Sequence, residues 1–309
     1  MSLSIIFISG PTAIGKSDFA IKLARKIKGE IINADSMQVY RDLKILTARP
    51  SENNQKLVPH HLYGHISGRD RYNVAKWCNE IIAILKKNKQ KKIISIIVGG
   101  TGLYIKTLLN GIANIPSISE KWKKKSNKLL LDLGLEKFYK KVYKIDNIAC
   151  KKISINDIQR LKRIWEVYYS TGKTLTAWIT NNHTTFIKNI NYRVYLFTPA
   201  RKYIYKNAND RFIKMINNGA IEEVNMLLKL NLDSSLPIMK AHGVPEISQY
   251  LSGSINLKEC IEKGQQITRN YAKRQLTWWK SAKLNNCTIF NCFPSNLDLK
   301  SLDILKNIN

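Results

Sequence analysis

The segment Gly10-Pro11-Thr12-Ala13-Ile14-Gly15-Lys16-Ser17 constrains this chain more than any other stretch. It fits the pattern GxxxxGK[ST] in full. Before it, Ser4 to Ser9 (SIIFIS) is a short Ile-rich run that reads as a buried strand, closed by Gly10-Pro11. After it, Phe19, Ala20, Leu23, Ala24 and Ile27 share one face at helical spacing, so Ser17 to Lys28 reads as an amphipathic helix. Strand, glycine turn and helix in that order make a phosphate cradle, the P-loop. The glycines let backbone N–H groups wrap an anion, and the helix N-terminus adds partial positive charge. Lys16 can reach a terminal phosphate, and the Ser17 hydroxyl can ligate magnesium. Alone, the motif specifies only a phosphorylated ligand. Small-molecule kinases, nucleotide hydrolases and users of prenyl diphosphates all satisfy it.

The rest of the chain predicts what surrounds the cradle. Glu30 to Ala34 and Lys92 to Val98 (KIISIIV) read as two further buried strands, with an amphipathic helix over Val74 to Leu85 between them. Buried strands alternating with helices imply a parallel α/β sheet. After about Gly111 the pattern changes. Ser119 to Ile179 carries helical periodicity, dense lysine and almost no strand signal. Tyr192 to Thr198 is strand-like again, and Arg201 to Leu228 and Leu257 to Lys283 read as long helices. The fold class expected is therefore α/β with a P-loop sheet core. The core takes 1–111 and 199–309, and a helical insertion takes 112–198. The tail from Asn296 to Asn309 is expected to be loosely held.

Ligands of open α/β sheets bind beyond the C-terminal ends of the strands. Two loops besides the P-loop meet that edge. Asn33-Ala34-Asp35-Ser36-Met37-Gln38 follows the second strand, which puts Asp35 near the phosphates. A carboxylate there can bind magnesium, accept a proton from a nucleophile, or merely cap a helix. Gly99-Gly100-Thr101-Gly102 follows the third strand, where Thr101 either presents its hydroxyl to the reacting centre or sits in a simple turn.

Charge bears on the partner. Lys and Arg number 51 against 22 Asp and Glu, a formal net charge of +29. Such a field attracts polyanions, among them tRNA. The chain is also rich in Ile, Asn and Lys together, the mark of AT-rich codons, so solvated surfaces account for part of the excess. The five cysteines are odd in number and irregularly spaced, which indicates neither a disulfide framework nor a zinc site. No apolar run reaches the roughly 20 residues that span a membrane. The N-terminus lacks the basic segment and cleavage site of a signal peptide, so the expected location is the cytoplasm.

Five segments together carry a specific resemblance: GPTAIGKS, NADSMQVYRDLKI, VGGTGLY, NDIQRLKRIWEVYYSTGKTLT and RNYAKRQLTWWK. In this order, over nearly the whole chain, they resemble the bacterial tRNA dimethylallyltransferase family. The resemblance implies transfer of a dimethylallyl group from dimethylallyl diphosphate to the exocyclic amine of the adenosine 3′-adjacent to the anticodon. It implies that Gly10 to Ser17 holds the diphosphate, with magnesium as cofactor at Ser17. Asp35 matches the general base, Thr101 the threonine beside the reacting groups, and Arg211 a clamp on the diphosphate beside Lys16. Without the resemblance, Arg211 would read as a solvated helix arginine.

The resemblance also implies which residues meet the tRNA anticodon stem-loop. They are Asp35, Ser36, Met37, Gln38 and Thr101 around the base, and Gln159, Arg160, Leu161, Lys162 and Arg163 on the QRxxR helix. Arg269, Lys273 and Arg274 follow, with Gln275 in the same segment. Lys123 lies in the basic block Lys121 to Lys125 around Trp122, which reads either as an RNA-backbone contact or as a solvated helix face. Asp157 is a further plausible contact, Trp278 and Trp279 read as core, and His60-His61 as structural. Three departures stand out. Leu46 occupies the place of a family glycine, Ser154-Ile155 that of His-Pro, and Ala241-His242-Gly243-Val244 lacks the tyrosine of AIGY. None touches Lys16, Ser17, Asp35, Thr101 or Arg211. The alternatives are an enzyme prenylating free adenine nucleotides, a small-molecule kinase using ATP, and a non-catalytic RNA-binding protein. The long basic insertion and the intact strand-end residues weigh against them. A monomer is expected.

Overall fold

The computed structural model describes residues 4–303 apart from 182, 185, 188 and 189; the last residues of the tail named above, 304–309, lie outside the described residues. The chain divides into two compact units, Met1–Thr107 with Lys188–Asn309, and Leu108–Ile187.

The first unit is built on a parallel sheet. Its strands are β1 (Ile5–Ser9), β2 (Glu30–Asn33), β3 (His60–His61), β4 (Ser95–Gly99), β5 (Tyr192–Phe197) and β6 (Cys287–Phe290). Their order is β3-β2-β4-β1-β5-β6, and every pairing is parallel. Parallel neighbours need crossovers, and helices supply them. They include α1 (Lys16–Ile27), α2 (Val74–Gln90), α3 (Arg201–Met215) and α4 (Leu257–Ser281). Ile6 and Ile8 of β1, Ile96 and Val98 of β4, and Phe197 of β5 pack on Phe19 and Leu23 of α1. Each fully buried side chain of this size contributes roughly 1.5–3 kcal/mol. The apolar runs of β1 and β4 are continuous rather than alternating because both faces of these strands are covered.

The strand order sets the site. With β1 between β4 and β5, and β4 beside β2, the loops after β1, β2 and β4 open at one edge. β5 has a direct role here. A Cβ on Gly10 would lie 2.4 Å from the Phe197 carbonyl oxygen, so only glycine lets the P-loop leave β1 past its neighbour. Gly10 also sits at φ 143 and Gly15 at φ 86.

The second unit is helical. Its main helices are Glu120–Ile145, bent at Gly134 where φ is 71, and Ile158–Thr171. Phe138, Val142, Cys150, Leu161, Ile164 and Trp165 form its core. Ile112–Ala113 pairs antiparallel with His183–Thr184. The range 112–198 expected for the insertion overruns this unit. Tyr192–Phe197 pairs with Ile5–Ser9, so the chain has rejoined the core sheet before residue 198.

Candidate active site

The three strand-end loops are tied by polar side chains that leave little freedom. Asn33, fully buried at the end of β2, donates from Nδ2 to the Asp35 and Leu62 carbonyls, both at 2.9 Å. Its Oδ1 accepts the Asp35 N–H at 2.8 Å. Asp35 Oδ1 in turn accepts the Met37 N–H at 2.8 Å and the Gln38 N–H at 3.4 Å. The capping alternative for Asp35 is therefore half true. One oxygen closes the turn, while the side chain lines both cavities described below. Thr101 Oγ1 accepts the Ser36 N–H at 3.3 Å, which joins the β4 loop to the β2 loop.

The P-loop carries the basic groups. Lys16 Nζ folds back to donate to the Pro11 carbonyl at 2.5 Å. Burial lowers its pKa to about 7, against the upward pull of Asp35, and Arg211 lowers it further. Arg211 of α3 points to the same place, with Nη1 3.4 Å from Thr12 Oγ1. Burial lowers its pKa too, opposed by Asp35. A guanidinium keeps its charge through such a shift, whereas an ammonium near 7 does not. Lys16, Asp35 and Arg211, read separately from sequence, thus form one electrostatic cluster.

Two cavities meet at this cluster. The first, about 390 Å³, is lined by Thr12 to Asp18, Asp35, Gln38, Arg211 and Gln275 and is mainly polar. The second, about 250 Å³, is mainly apolar, with Met37, Leu46, Phe212, Met215, His242 and Tyr271 in its wall. Thr12, Asp35, Thr47 and Arg211 line both. Burial holds His242 below the ordinary imidazole pKa, helped by Arg274, so the wall is uncharged there at neutral pH. Tyr271 is pushed up by burial and by Asp35 and stays a neutral phenol.

Leu46 fits without the strain a lost glycine would imply. Its φ is not positive; the left-handed residue of this loop is Ala48 at φ 48. Glu223, 7% exposed, anchors the loop by accepting the Lys44, Ile45 and Leu46 N–H groups at 2.6, 2.8 and 3.0 Å. Gln38 Nε2 donates to the Thr47 carbonyl at 2.8 Å. Sequence reasoning missed Glu223 and the role of Asn33. A lone Glu on an acidic helix start gives no signal, but an Asn two residues before a candidate catalytic Asp could have been read as its brace.

The residues assigned to RNA separate into groups. Gln159 and Arg160 are exposed, and Arg160 Nε lies 3.3 Å from Asp157 Oδ2. Asp157 also caps its helix by accepting the Arg160 N–H at 3.2 Å. Arg163 is half-buried, its pKa lowered by burial against the pull of Glu166. Lys162 Nζ donates to Asn127 Oδ1 at 2.5 Å, and Lys123 Nζ pairs with Glu120 Oε1 at 2.6 Å. Leu161 is a correction. It is fully buried in the insertion core beside Phe138 and Ile164, so its side chain cannot touch RNA; the motif's apolar position faces inward because the basic ones face out. In the core unit, Lys273 and Arg274 are exposed, while Arg269 is tied to Asn209 Oδ1 at 2.6 Å. Trp279 is buried; Trp278 is half-buried against Gly102, where a Cβ would meet its ring at 2.1 Å.

Magnesium needs hard oxygen ligands and keeps several waters or substrate phosphates. Ser17 and Asp35 supply such oxygens to the polar cavity and so fit the ion. Among the described residues, no group of three His, Cys, Asp or Glu forms a cage for a metal. His60 Nδ1 instead contacts the Val58 carbonyl at 2.8 Å, and His61 Nε2 pairs with Glu30 at 2.8 Å.

Known proteins match this chain over most of its length. A model described as IPP transferase matches residues 38–282, and one described as isopentenyl transferase matches residues 2–63. A tRNA dimethylallyltransferase of Wolbachia pipientis subsp. Culex pipiens is 42% identical over 94% of this chain and 97% of its own. That of Pelagibacter ubique is 43% identical over 89% and 87%. Among solved structures, the tRNA isopentenylpyrophosphate transferase of Bacillus halodurans superposes with a TM-score of 0.69 at 28% identity, covering 99% of this chain and 94% of that one. A eukaryotic dimethylallyltransferase acting on tRNA gives 0.76 at 28% identity, over 90% and 70%. On matches of this extent, the chain belongs to the tRNA dimethylallyltransferase (IPP transferase) family.

Proposed function

We propose that this prenyltransferase moves the dimethylallyl group of dimethylallyl diphosphate to the exocyclic amine of the tRNA adenosine 3′-adjacent to the anticodon. The observation that carries the reading is the junction of a phosphate cradle with an apolar chamber at Thr12, Asp35, Thr47 and Arg211. A donor with an anionic head and a hydrocarbon tail suits such a pair of cavities.

The chemistry follows from the groups present. The adenine amine is a poor nucleophile because its lone pair is delocalised into the ring. As its nitrogen bonds to the first prenyl carbon, the carbon–oxygen bond breaks and the electron pair leaves with diphosphate. The amine proton goes to the Asp35 carboxylate, whose free oxygen the Asn33 brace orients. Lys16, Arg211 and the P-loop N–H groups stabilise charge gathering on the leaving group. Magnesium, held by the Ser17 hydroxyl when bound, would add Lewis-acid stabilisation of that charge.

The target base must leave its stack to reach a buried diphosphate, and a single-stranded anticodon loop makes extrusion cheap. Exposed Gln159, Arg160, Lys273 and Arg274 and half-buried Arg163 are the proposed contacts to the stem-loop, with Lys123, Lys162 and Arg269 reaching it after rearranging their present partners. Ser36, Met37, Gln38 and Thr101 are proposed to border the extruded base. We further propose that the enzyme acts as a monomer in the cytoplasm; no helix among the described residues is long and apolar enough to cross a membrane.

The test is transfer of labelled dimethylallyl diphosphate to bulk tRNA with magnesium, run beside an ATP turnover assay. Label on the adenosine next to the anticodon is the expected result. ATP consumption on a small substrate, with unlabelled tRNA, refutes the reading.

A further inference from the structure

Gln275 belongs by sequence to the helix segment read as contacting tRNA. Its side chain is elsewhere. It is 6% exposed on α4, and its amide bridges two loops of the site. Oε1 accepts the Thr12 N–H of the P-loop at 2.8 Å, and Nε2 donates to the Gly100 carbonyl at 3.0 Å. Both ends of the amide are thus used inside the core, and none of it is offered to an RNA.

The clamp sits where the P-loop needs one. Ala13, the next residue after Thr12, is left-handed at φ 62, a conformation that disfavours any residue with a Cβ. Such backbone persists only when its surroundings hold it. Besides Arg211 at the Thr12 hydroxyl, three side chains among the described residues reach the backbone of this stretch. Lys16 donates to the Pro11 carbonyl at 2.5 Å, Asn207 Nδ2 to the Ala13 carbonyl at 3.4 Å, and Gln275 accepts from Thr12. The Lys16 tie must open when its ammonium turns to an incoming phosphate. The Asn207 contact is long and exposed. The Gln275 bond, short and made by a buried side chain, remains once the anion is bound. Its other end holds Gly100, whose neighbour Thr101 accepts the Ser36 N–H beside Asp35.

We infer that Gln275 is a positioning residue for the diphosphate: it fixes the strained P-loop against the Gly100–Thr101 turn and so sets the register between the leaving group and the Asp35 side of the site. The inference rests on the proposed donor, dimethylallyl diphosphate, and assigns to the donor a residue that the sequence groups with RNA contacts.

Two variants test it from opposite ends. Gln275→Met keeps the length and removes both polar atoms. Gly100→Ala leaves Gln275 in place, but the new Cβ would fall 2.1 Å from its Nε2 and force the amide away. Inorganic diphosphate is titrated by calorimetry, and KM is measured separately for donor and tRNA, with thermal midpoints alongside. The loss of a buried hydrogen-bond pair predicts about tenfold weaker diphosphate binding and a matching rise in donor KM for both variants. The KM for tRNA should stay at the parent value. A purely structural role would lower the midpoint and kcat with donor KM unchanged, and an RNA role would raise the KM for tRNA; either result overturns the inference. Parental diphosphate affinity in Gly100→Ala overturns it even if Gln275→Met fails to fold. If the parent enzyme transfers no prenyl group to tRNA, the functional reading fails, while the diphosphate titration still decides the clamp.

Discussion

The strand-end site and the helical insertion use charge in opposite ways. In the strand-end site Lys16 and Arg211 stand half-buried beside Asp35, with burial lowering the pKa of both and Asp35 opposing it, and the P-loop and the Asp35 loop are braced by Gln275 and Asn33. In the insertion, Arg160 and Lys123 meet their partners Asp157 and Glu120 at the surface. Exposed pairs of this kind contribute little to stability and exchange partners readily. Buried charges make chemistry because they cannot relax. Exposed ones make a field, and a field tolerates the loss of any one member. The two regions should therefore respond to mutation in different quantities.

The largest effect is expected at Asp35. Asp35→Asn keeps an acceptor for the Met37 N–H and so preserves the turn, but it removes the proton acceptor. Loss of a general base predicts a fall in turnover of about 10²- to 10⁴-fold. Single-turnover kinetics at saturating tRNA would read it, and tRNA affinity should stay near the parent's. Turnover close to the parent's would remove Asp35 from the reaction; a large loss of tRNA affinity would erase the contrast between the regions.

The core site was legible in the sequence where its signal is local. GPTAIGKS lies between an apolar run and an amphipathic helix, and the structure puts β1 and α1 there. Asp35 and Thr101 were legible because loops after parallel strands share one edge. Strands β3 and β6 were not. His60–His61 is only two polar residues, and Cys287–Phe290 is a four-residue strand at the sheet margin with no buried position, so neither shows a buried run. Gln275 and Glu223 were illegible for a different reason. Their partners lie 263 and about 178 residues away, and nothing local distinguishes a buried amide or carboxylate from a solvated one. Leu161 shows the reverse error. The motif's members are consecutive in sequence, but helical spacing turns Leu161 into the core.

Lys16 gives the next effect in size. In the free protein its ammonium titrates near pH 7 because burial opposes the charge. A bound diphosphate favours the charged form and raises that pKa. Below about 7 the group is already protonated and binding takes up no proton. Above it, each binding event must take up one, so affinity should fall by up to about tenfold per pH unit. Calorimetry in two buffers of different ionisation enthalpy would show proton uptake at pH 8 and little at pH 6. No uptake at pH 8 would mean that Lys16 stays charged in the empty site.

The smallest effect belongs to the insertion, and it sharpens the comparison most. Replacing Arg160 and Arg163 together by Ala should weaken tRNA binding only modestly, but it should flatten the dependence of log K on log salt by about one to two units, since each lost phosphate contact releases fewer counterions. Filter binding over a range of salt concentrations reads this directly. Diphosphate affinity should not move. Leu161→Ala on the same helix is the control: its side chain is in the core, so it should lower stability by about 2–5 kcal/mol while leaving the salt slope intact. An unchanged slope in the arginine variant, or a flattened one in Leu161→Ala, would mean that the helix meets RNA by some other face. A shift in diphosphate affinity with the arginines would mean that the insertion's charge is felt in the site, and that field and chemistry are not separable in this enzyme.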